Sequence, residues 1–227
     1  MWAANANSNP LIFWMLRRIY ADKELLGRVR EEIAPYVRVV QPKQELAVPE
    51  LPRFEAFDVE ALCSKCPLLK SCYVECMRLD MRSWSLKVVR EDFVLQSREN
   101  DSQGWLLRKG DCVHAAHDLH STDPVHFEDS MTWKGDRHIK YSDDDKRGKA
   151  DLGSVRPYGG GSSMCKGRAF AVKEIMAFAA AIIVVWEIEP KDDGEWKTLK
   201  QKKGLGVQGT SDDTRVWLTR RKLPQES

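Results

Sequence analysis

The sequence predicts a mainly α-helical fold with small β-sheets, and three observations carry that expectation. Ala169 to Trp186 is a long apolar run of helix formers. Pro67 to Asp80 is a second strong helical segment, opened by a proline suited to a first turn. Only short runs with β character lie between them, around Trp84 to Val89 and Trp105 to Leu107.

The elements follow in order. Ala3 to Arg18 reads as a helix that Pro10 should kink by removing an amide donor. Trp2, Phe13, Trp14 and Leu16 read as core-facing residues of that segment. Asp22 to Ile33 is amphipathic, rich in Lys23, Glu24, Leu25, Leu26, Arg30 and Glu31, and Pro35 ends it. Pro42 to Phe54 holds three prolines and is expected to be a loop. Val59 to Cys63 makes a short helix. Asp92 to Gln96 and Asp111 to Ala115 add β character. An irregular stretch then runs to Tyr158 and includes the solvated charge run Ser142 to Arg147; so much structureless chain is expected only where it serves a site. A helix from Lys166 to Val184 follows, and two short strands close the chain, the second from Thr214 to Thr219 after a Gly204-Leu205-Gly206 turn. There are no internal repeats.

Composition narrows the function. The 227 residues are 42% hydrophobic and 31% charged, enough for a real core. A net charge of +2 argues for neither nucleic acid nor an anionic membrane surface as partner. Six cysteines in a chain of this size do not suggest a disulfide scaffold. Met176 to Trp186 is uncharged but far shorter than the roughly 20 residues of a membrane span. No signal peptide or anchor is visible. The chain opens directly into a helical pattern without a cap, which suggests a truncated product.

Cys165 is the residue richest in chemistry. It sits in Arg156-Pro157-Tyr158-Gly159-Gly160-Gly161-Ser162-Ser163-Met164-Cys165-Lys166-Gly167-Arg168, just ahead of the final helix. The free N–H groups and positive end of a helix start stabilise an anion, and the thiolate is the form that ligates metal. Glycines let the backbone pass close to a flat, bulky group. Taken alone, the cysteine reads equally as a buried structural thiol or as such a ligand, and a haem iron held by one thiolate fits the three features together.

The whole segment resembles the haem-binding loop of the cytochrome P-450 family. An aromatic, Tyr158, stands seven residues before the cysteine, Gly161 four before it, and Gly167-Arg168-Ala169-Phe170-Ala171 follow it. The likeness is nearest to the branch holding sterol hydroxylases and prostacyclin synthase, through Arg156-Pro157-Tyr158-Gly159-Gly160-Gly161. It implies Cys165 as axial ligand, with Arg156, Tyr158, Gly161 and Gly167 around the cofactor. Ser163 stands where many members carry a basic residue that contacts a haem propionate, and Lys166 replaces a common proline.

Three further segments match the family in order. Glu75-x-x-Arg78, at a spacing that shares one helix face, is similar to its Glu-x-x-Arg helix and lies 90 residues before Cys165. Trp133-Lys134-Gly135-Asp136-Arg137 is similar to the segment supplying the third member, so the resemblance implies a buried Glu75, Arg78 and Arg137 ion network of structural role. His138 stands where the family usually has an aromatic, which predicts looser packing there. Asn5 to Pro10 resembles the distal oxygen-activating helix, with Asn7 in the acid position and Ser8 in the threonine position. Asn7 cannot shuttle a proton as a carboxylate would. Ser83 to Val88 and Gly204 to Val207 correspond to substrate-contacting segments.

The remaining clusters read as structural. Cys63, Cys66, Cys72 and Cys76 contain a C-x2-C pair, but two of them fall on a helix. His114, His117 and His120 are not expected to converge. Lys166, Arg168 and Lys173 read either as a solvated helix face or as a basic patch for an acidic electron donor.

The resemblance implies the C-terminal half of a cytochrome P-450 fold, one partial domain over residues 1–227, binding haem b. The implied activity is a monooxygenase acting on an apolar substrate, sterol or lipid, with electrons from NADPH through a reductase of the cytochrome P-450 type. A full-length form would be intracellular, at the endoplasmic reticulum membrane, held only by the N-terminal region this chain lacks. Two alternatives stay open: a haem-thiolate isomerase of a lipid peroxide, and a non-catalytic fragment.

Overall fold

The structure is a computed structural model that describes residues 2–43, 50–97, 102–143, 145–191 and 194–226. Helix α1 spans Trp2–Ala21 and runs on through Pro10, a longer element than expected. The side chain of Trp2 lies outside the described residues; Trp14 and Leu16 are buried, and Phe13 packs half-buried against the core. Helix α2, Lys23–Ile33, begins where the Asp22 carboxylate accepts the Leu25 N–H at 2.9 Å.

Strands β1, Val37–Val40, and β2, Arg53–Phe57, form an antiparallel hairpin that the sequence reading did not foresee; it flanks the expected loop and takes only Arg53 and Phe54 from its end. Residues 44–49 of that segment lie outside the described residues. Val37, Val39 and Val40 enter the core, and their burial stabilises strands that the flanking prolines conceal in the sequence.

Helix α3, Val59–Lys65, is capped by Asp58, whose side chain accepts the Ala61 N–H. Helix α4, Pro67–Asp80, has no capping side chain of its own. Instead the Glu32 carboxylate at the end of α2 accepts the Leu68 and Leu69 N–H groups at 2.7 and 2.9 Å. Burial pushes the Glu32 carboxyl above its ordinary value, against those two hydrogen bonds.

Short strands follow: β3, Met81–Arg82; β4, Trp84–Val88; β5, Phe93–Gln96; β6, Gly104–Leu107; and β7, Cys112–Ala116. The β4–β7 and β5–β6 pairs are antiparallel. The stretch expected to be irregular contains a one-turn helix α5, His117–Ser121, and the hairpin of β8, Ile139–Ser142, with β9, Asp145–Ala150. The charge run therefore belongs to a hairpin; Asp144 is outside the described residues.

Helix α6 occupies Arg168–Val185, starting two residues later than expected. Three strands follow rather than two: β10, Trp186–Pro190; β11, Gly206–Val207; and β12, Val216–Arg220. Strands β10 and β12 pair with each other, while β11 returns to β3. That pairing brings the terminal segment to the end of α4.

The core lies where α1, α2, α4 and α6 meet, around Met15, Ile19, Val29, Ile33, Leu69, Met176 and Ile183. Helix α6 is apolar along most of its length, and Ala179 and Ala180 let it approach its neighbours closely. The fold is mainly α-helical with two-stranded sheets at its margins.

Candidate functional site

The ion network is built on one turn of α4. Glu75 and Arg78 are both fully buried, and Arg78 grips the carboxylate with two parallel hydrogen bonds of 2.8 Å from Nε and Nη2. Arg137 Nε donates to Glu75 Oε1 at 3.0 Å, and the Lys134 backbone N–H donates to the same oxygen at 3.1 Å. Both arginines also hold the segment around them. Arg78 Nη1 donates to the carbonyls of Ser121 and Ser130, and Arg137 to those of Glu128 and Thr132. Phe127 covers the Arg78 guanidinium, 5.1 Å from its ring centre.

His138 is a fourth member that the sequence reading left out. Its ring is buried, and Nε2 stands 2.9 Å from Glu75 Oε2, a contact that places the ring proton on Nε2. Its backbone N–H donates to Ser71 Oγ at 3.0 Å. The packing expected to be loose is hydrogen-bonded at both ends. Burial alone would raise the Glu75 carboxyl, but hydrogen bonds from Arg78, His138 and Arg137 outweigh it and hold the group down at about 2.

Gly135 lets this segment lie against α2 and α4. A Cβ there would come within 2.9 Å of Leu25 Cδ2 and 3.2 Å of Cys72 Sγ, and the Cys72 thiol donates to the Gly135 carbonyl. Cys66, Cys72 and Cys76 are buried core thiols, and burial raises the value of each. Among the described residues no group of histidine, cysteine and carboxylate side chains is arranged to hold a metal ion. His117 contacts Ser85 Oγ, His114 meets Trp84 edge to face and His120 lies tilted against His126, so the three histidines point to different partners.

The Cys165 loop turns back on itself before α6. Gly159 and Gly161 take left-handed backbone, with φ of 71° and 64°, which glycine adopts freely. The Cys165 N–H donates to the Tyr158 carbonyl at 3.0 Å, closing the turn. The Tyr158 hydroxyl meets that of Tyr73, tying the loop to α4, and burial raises both phenols. Gly167 occupies the N-cap of α6 with no side-chain cap, so the first-turn N–H groups of the helix start free beside Cys165.

One cavity of about 710 Å³ joins these parts. Cys165, Tyr158 and Gly167 line it together with Asn7 and Ser8 of α1. Both expected substrate-contacting segments reach it, through Ser83 to Lys87 and Leu205 to Val207. Leu11, Met77, Phe170 and Ile175 make much of its wall apolar. Its size falls within that of small-molecule and cofactor sites. Arg156 and Gly161 are not among the described residues lining it. The Arg156 side chain instead donates to the Gly153 and Val155 carbonyls at 2.6 and 3.1 Å.

The two distal residues have different partners. The buried Ser8 hydroxyl donates to Glu174 Oε2 on α6 at 2.7 Å. Asn7 Oδ1 accepts the Val207 N–H at 3.0 Å. Glu174 is a cavity residue that the sequence reading passed over, and Lys87 was reached there only as part of the Ser83 to Val88 segment. Glu174 was traceable as the only acid of an otherwise apolar helix. Lys87, whose ammonium contacts Ser163 Oγ, had no signal on a short strand with exposed apolar neighbours.

The family model described as cytochrome P450 matches residues 1–213, and the chain belongs to the cytochrome P450 family. It is 34% identical over 197 residues to the cytochrome P450 monooxygenase calL of Penicillium decumbens, covering 83% of this chain and 33% of that one. It is 27% identical over 198 residues to the cholesterol 7-alpha-monooxygenase of Cricetulus griseus, covering 83% and 37%. A solved zebra fish cytochrome P450 superposes with a TM-score of 0.69 at 19% identity, covering 95% of this chain and 45% of that one, which shows the fold. The chain thus corresponds to a part of the cytochrome P450 fold, and it spans between 33% and 50% of the length of the curated relatives it matches. No helix among the described residues is long and apolar enough to cross a membrane.

Proposed function

We propose that this chain forms one partial cytochrome P450 domain carrying the haem-thiolate side of a monooxygenase, with Cys165 as the residue that would hold the iron. The observation that carries the reading is that Cys165 and Ser8, from opposite ends of the sequence, line one cavity. The residues present fit a haem. The wall is largely apolar, and Gly159 keeps a clear approach where a Cβ would stand 3.3 Å from Ser85 Oγ. The uncapped start of α6 leaves its first-turn N–H groups beside Cys165.

Bound haem would supply oxygen activation, and the protein sets ligand, polarity and access. Cys165 would hold the iron, Tyr158 anchors the loop to α4, and Gly167 leaves the helix N–H groups beside the sulfur. Lys87, whose ammonium contacts Ser163 Oγ, would supply there the cation that the loop itself lacks. Glu75, Arg78, Arg137 and His138 keep the connecting segment in place. Leu11, Phe170 and Leu205 present the apolar surface for substrate.

The substrate class that fits is an apolar sterol or lipid, which accords with the name of the hamster relative. Electrons would come from NADPH through a reductase of the cytochrome P450 type. The complete enzyme would work at the endoplasmic reticulum membrane. A second reading draws on Asn7, whose carbonyl is bound to Val207 and which is no acid. A haem-thiolate isomerase of a lipid peroxide needs neither a proton donor there nor a reductase, and turnover without reductase would favour it.

The test is spectroscopic. Haem-loaded, reduced protein under carbon monoxide should show the strongly red-shifted Soret band of thiolate ligation, and Cys165→Ala should abolish it. Haem uptake and a band unchanged by that substitution would overturn the assignment.

A further inference from the structure

The cavity carries two cations, and they stand on different walls. Lys87 reaches Ser163 of the Cys165 loop. Arg82 lies on β3, paired with Gly206 of β11 and next to the turn that carries Leu205. Its side chain lines the cavity and is 47% exposed, so the guanidinium is not sealed in by protein. Among the described residues its polar partner is Asp118, through a single contact of 3.3 Å from Nη1 to Oδ2. Asp118 is itself held by Trp84, whose Nε1 donates to Oδ1 at 2.9 Å. Among those residues, Nε and Nη2 of Arg82 are left unused. The same two nitrogens of Arg78 grip the Glu75 carboxylate in parallel, the fork geometry that suits carboxylate and phosphate oxygens. Glu174, the one acid among the described residues lining the cavity, is already engaged by Ser8.

We propose that Arg82 anchors an anionic head group, and that the substrate is an amphiphile whose apolar sterol or fatty-acyl body lies against Leu11, Met77 and Ile175 and ends in a carboxylate or sulfate. This rests on the monooxygenase reading of the cavity and narrows its substrate class. A largely apolar pocket takes the orientation of its ligand from a few placed polar groups, and a guanidinium fork is one of them here. The head group accepts hydrogen bonds from Nε and Nη2, while Asp118 keeps Nη1 and holds the side chain in place. Lys87 is not the anchor, because its ammonium is committed to the Cys165 loop. A carboxylate of the cofactor is the competing occupant of Arg82. It requires that haem uptake fail without the guanidinium, whereas a substrate anchor leaves uptake intact.

Equilibrium dialysis of the haem-loaded chain against two matched pairs provides the test: dodecanoate with 1-dodecanol, and cholesterol sulfate with cholesterol, each below its micellar concentration. Wild type should favour the anion in the pair whose body fits, and raised salt should weaken that preference. Arg82→Met should weaken binding of the anion by about 10- to 100-fold and leave its neutral partner and haem uptake unchanged. Arg82→Lys should keep part of the preference. Asp118→Asn removes the competing carboxylate but still accepts from Trp84, and should tighten the anion by up to about 5-fold. Equal affinity for the charged and neutral members of both pairs would overturn the proposal, as would a preference that survives Arg82→Met. So would loss of haem uptake in Arg82→Met with its circular dichroism intact, which gives the guanidinium to the cofactor. The carbon monoxide band is a separate measurement. Its absence from wild type would remove the monooxygenase reading and this inference with it, whereas a band without anion preference would remove this inference alone.

Discussion

Arg18 on α1 and Asp80 at the end of α4 form an ion pair whose carboxylate is fully buried, with Arg18 Nη2 2.7 Å from Asp80 Oδ1. Trp14 and Trp133 lie against the guanidinium, at 5.7 and 5.0 Å from its centre to theirs. Gln201 Nε2 donates to the same carboxylate at 2.6 Å, and the Gln208 N–H to the Asp80 carbonyl at 2.7 Å. Asp80 therefore joins the distal helix, the ion-network helix and the terminal segment that closes the cavity. Asp80→Asn keeps the shape but strands the Arg18 charge, so it should cost about 3–5 kcal/mol in denaturant unfolding. Arg18→Met added to it should recover part of that loss. A cost below about 1 kcal/mol for Asp80→Asn would mean the pair is incidental.

The Glu75 carboxyl, at about 2 in the folded chain against 4.5 ordinarily, links stability to acid. A carboxylate whose value is depressed on folding contributes stability that is complete above its unfolded value, here above pH 4.5. That contribution fades as pH falls through the window down to about 2, and amounts to something on the order of 3 kcal/mol. Glu75→Gln should therefore be destabilised at neutral pH and show a flatter stability profile between pH 4.5 and 2. Parallel profiles for the two proteins, followed by unfolding at several pH values, would show that Glu75 does not carry the acid limb.

His138→Phe tests whether the fourth partner matters. Phenylalanine supplies an aromatic ring of similar reach but cannot donate to Glu75 Oε2. Loss of one hydrogen bond to a buried charge should cost about 1.5–3 kcal/mol. The Glu75 carboxyl should also titrate higher, moving acid unfolding to higher pH. An unchanged acid midpoint would show that Arg78 and Arg137 suffice.

Some of this was legible in the chain and some was not, for physical reasons. Glu75 and Arg78 share a helix face because of helical periodicity, so their spacing reads directly. Arg137, four residues after Trp133, came from the family resemblance and not from any local rule. The β1–β2 hairpin was hidden because a register shift between Arg38 and Val39 breaks the alternation a strand should show, leaving Val39 and Val40 both inside. Strands β8 and β9 carry charges and little apolar pattern, so nothing marked them as paired. The Ser8–Glu174 contact joins residues 166 apart, and no local rule reaches that far. His138 was misjudged because ring shape was weighed and its N–H was not.

Gly206 and Asn7 make the sharpest local test of the cavity wall. Gly206 sits at φ 82°, where a side chain is strained, and a Cβ would stand 2.5 Å from Asn7 Oδ1. That same oxygen holds the next residue, Val207, through its N–H. Gly206→Ala should therefore be destabilising through backbone strain of about 1–2 kcal/mol and through expulsion of the Asn7 carbonyl from its place. Asn7→Ala removes the obstacle but also the hydrogen bond. In the double variant the clash and the lost bond cannot both be counted, so the combined loss should fall short of the sum of the single losses by about 0.5–3 kcal/mol. Denaturant unfolding of the four proteins measures the difference. Losses that simply add would mean that Asn7 and the β11 turn are independent, and that α1 does not set the position of β11.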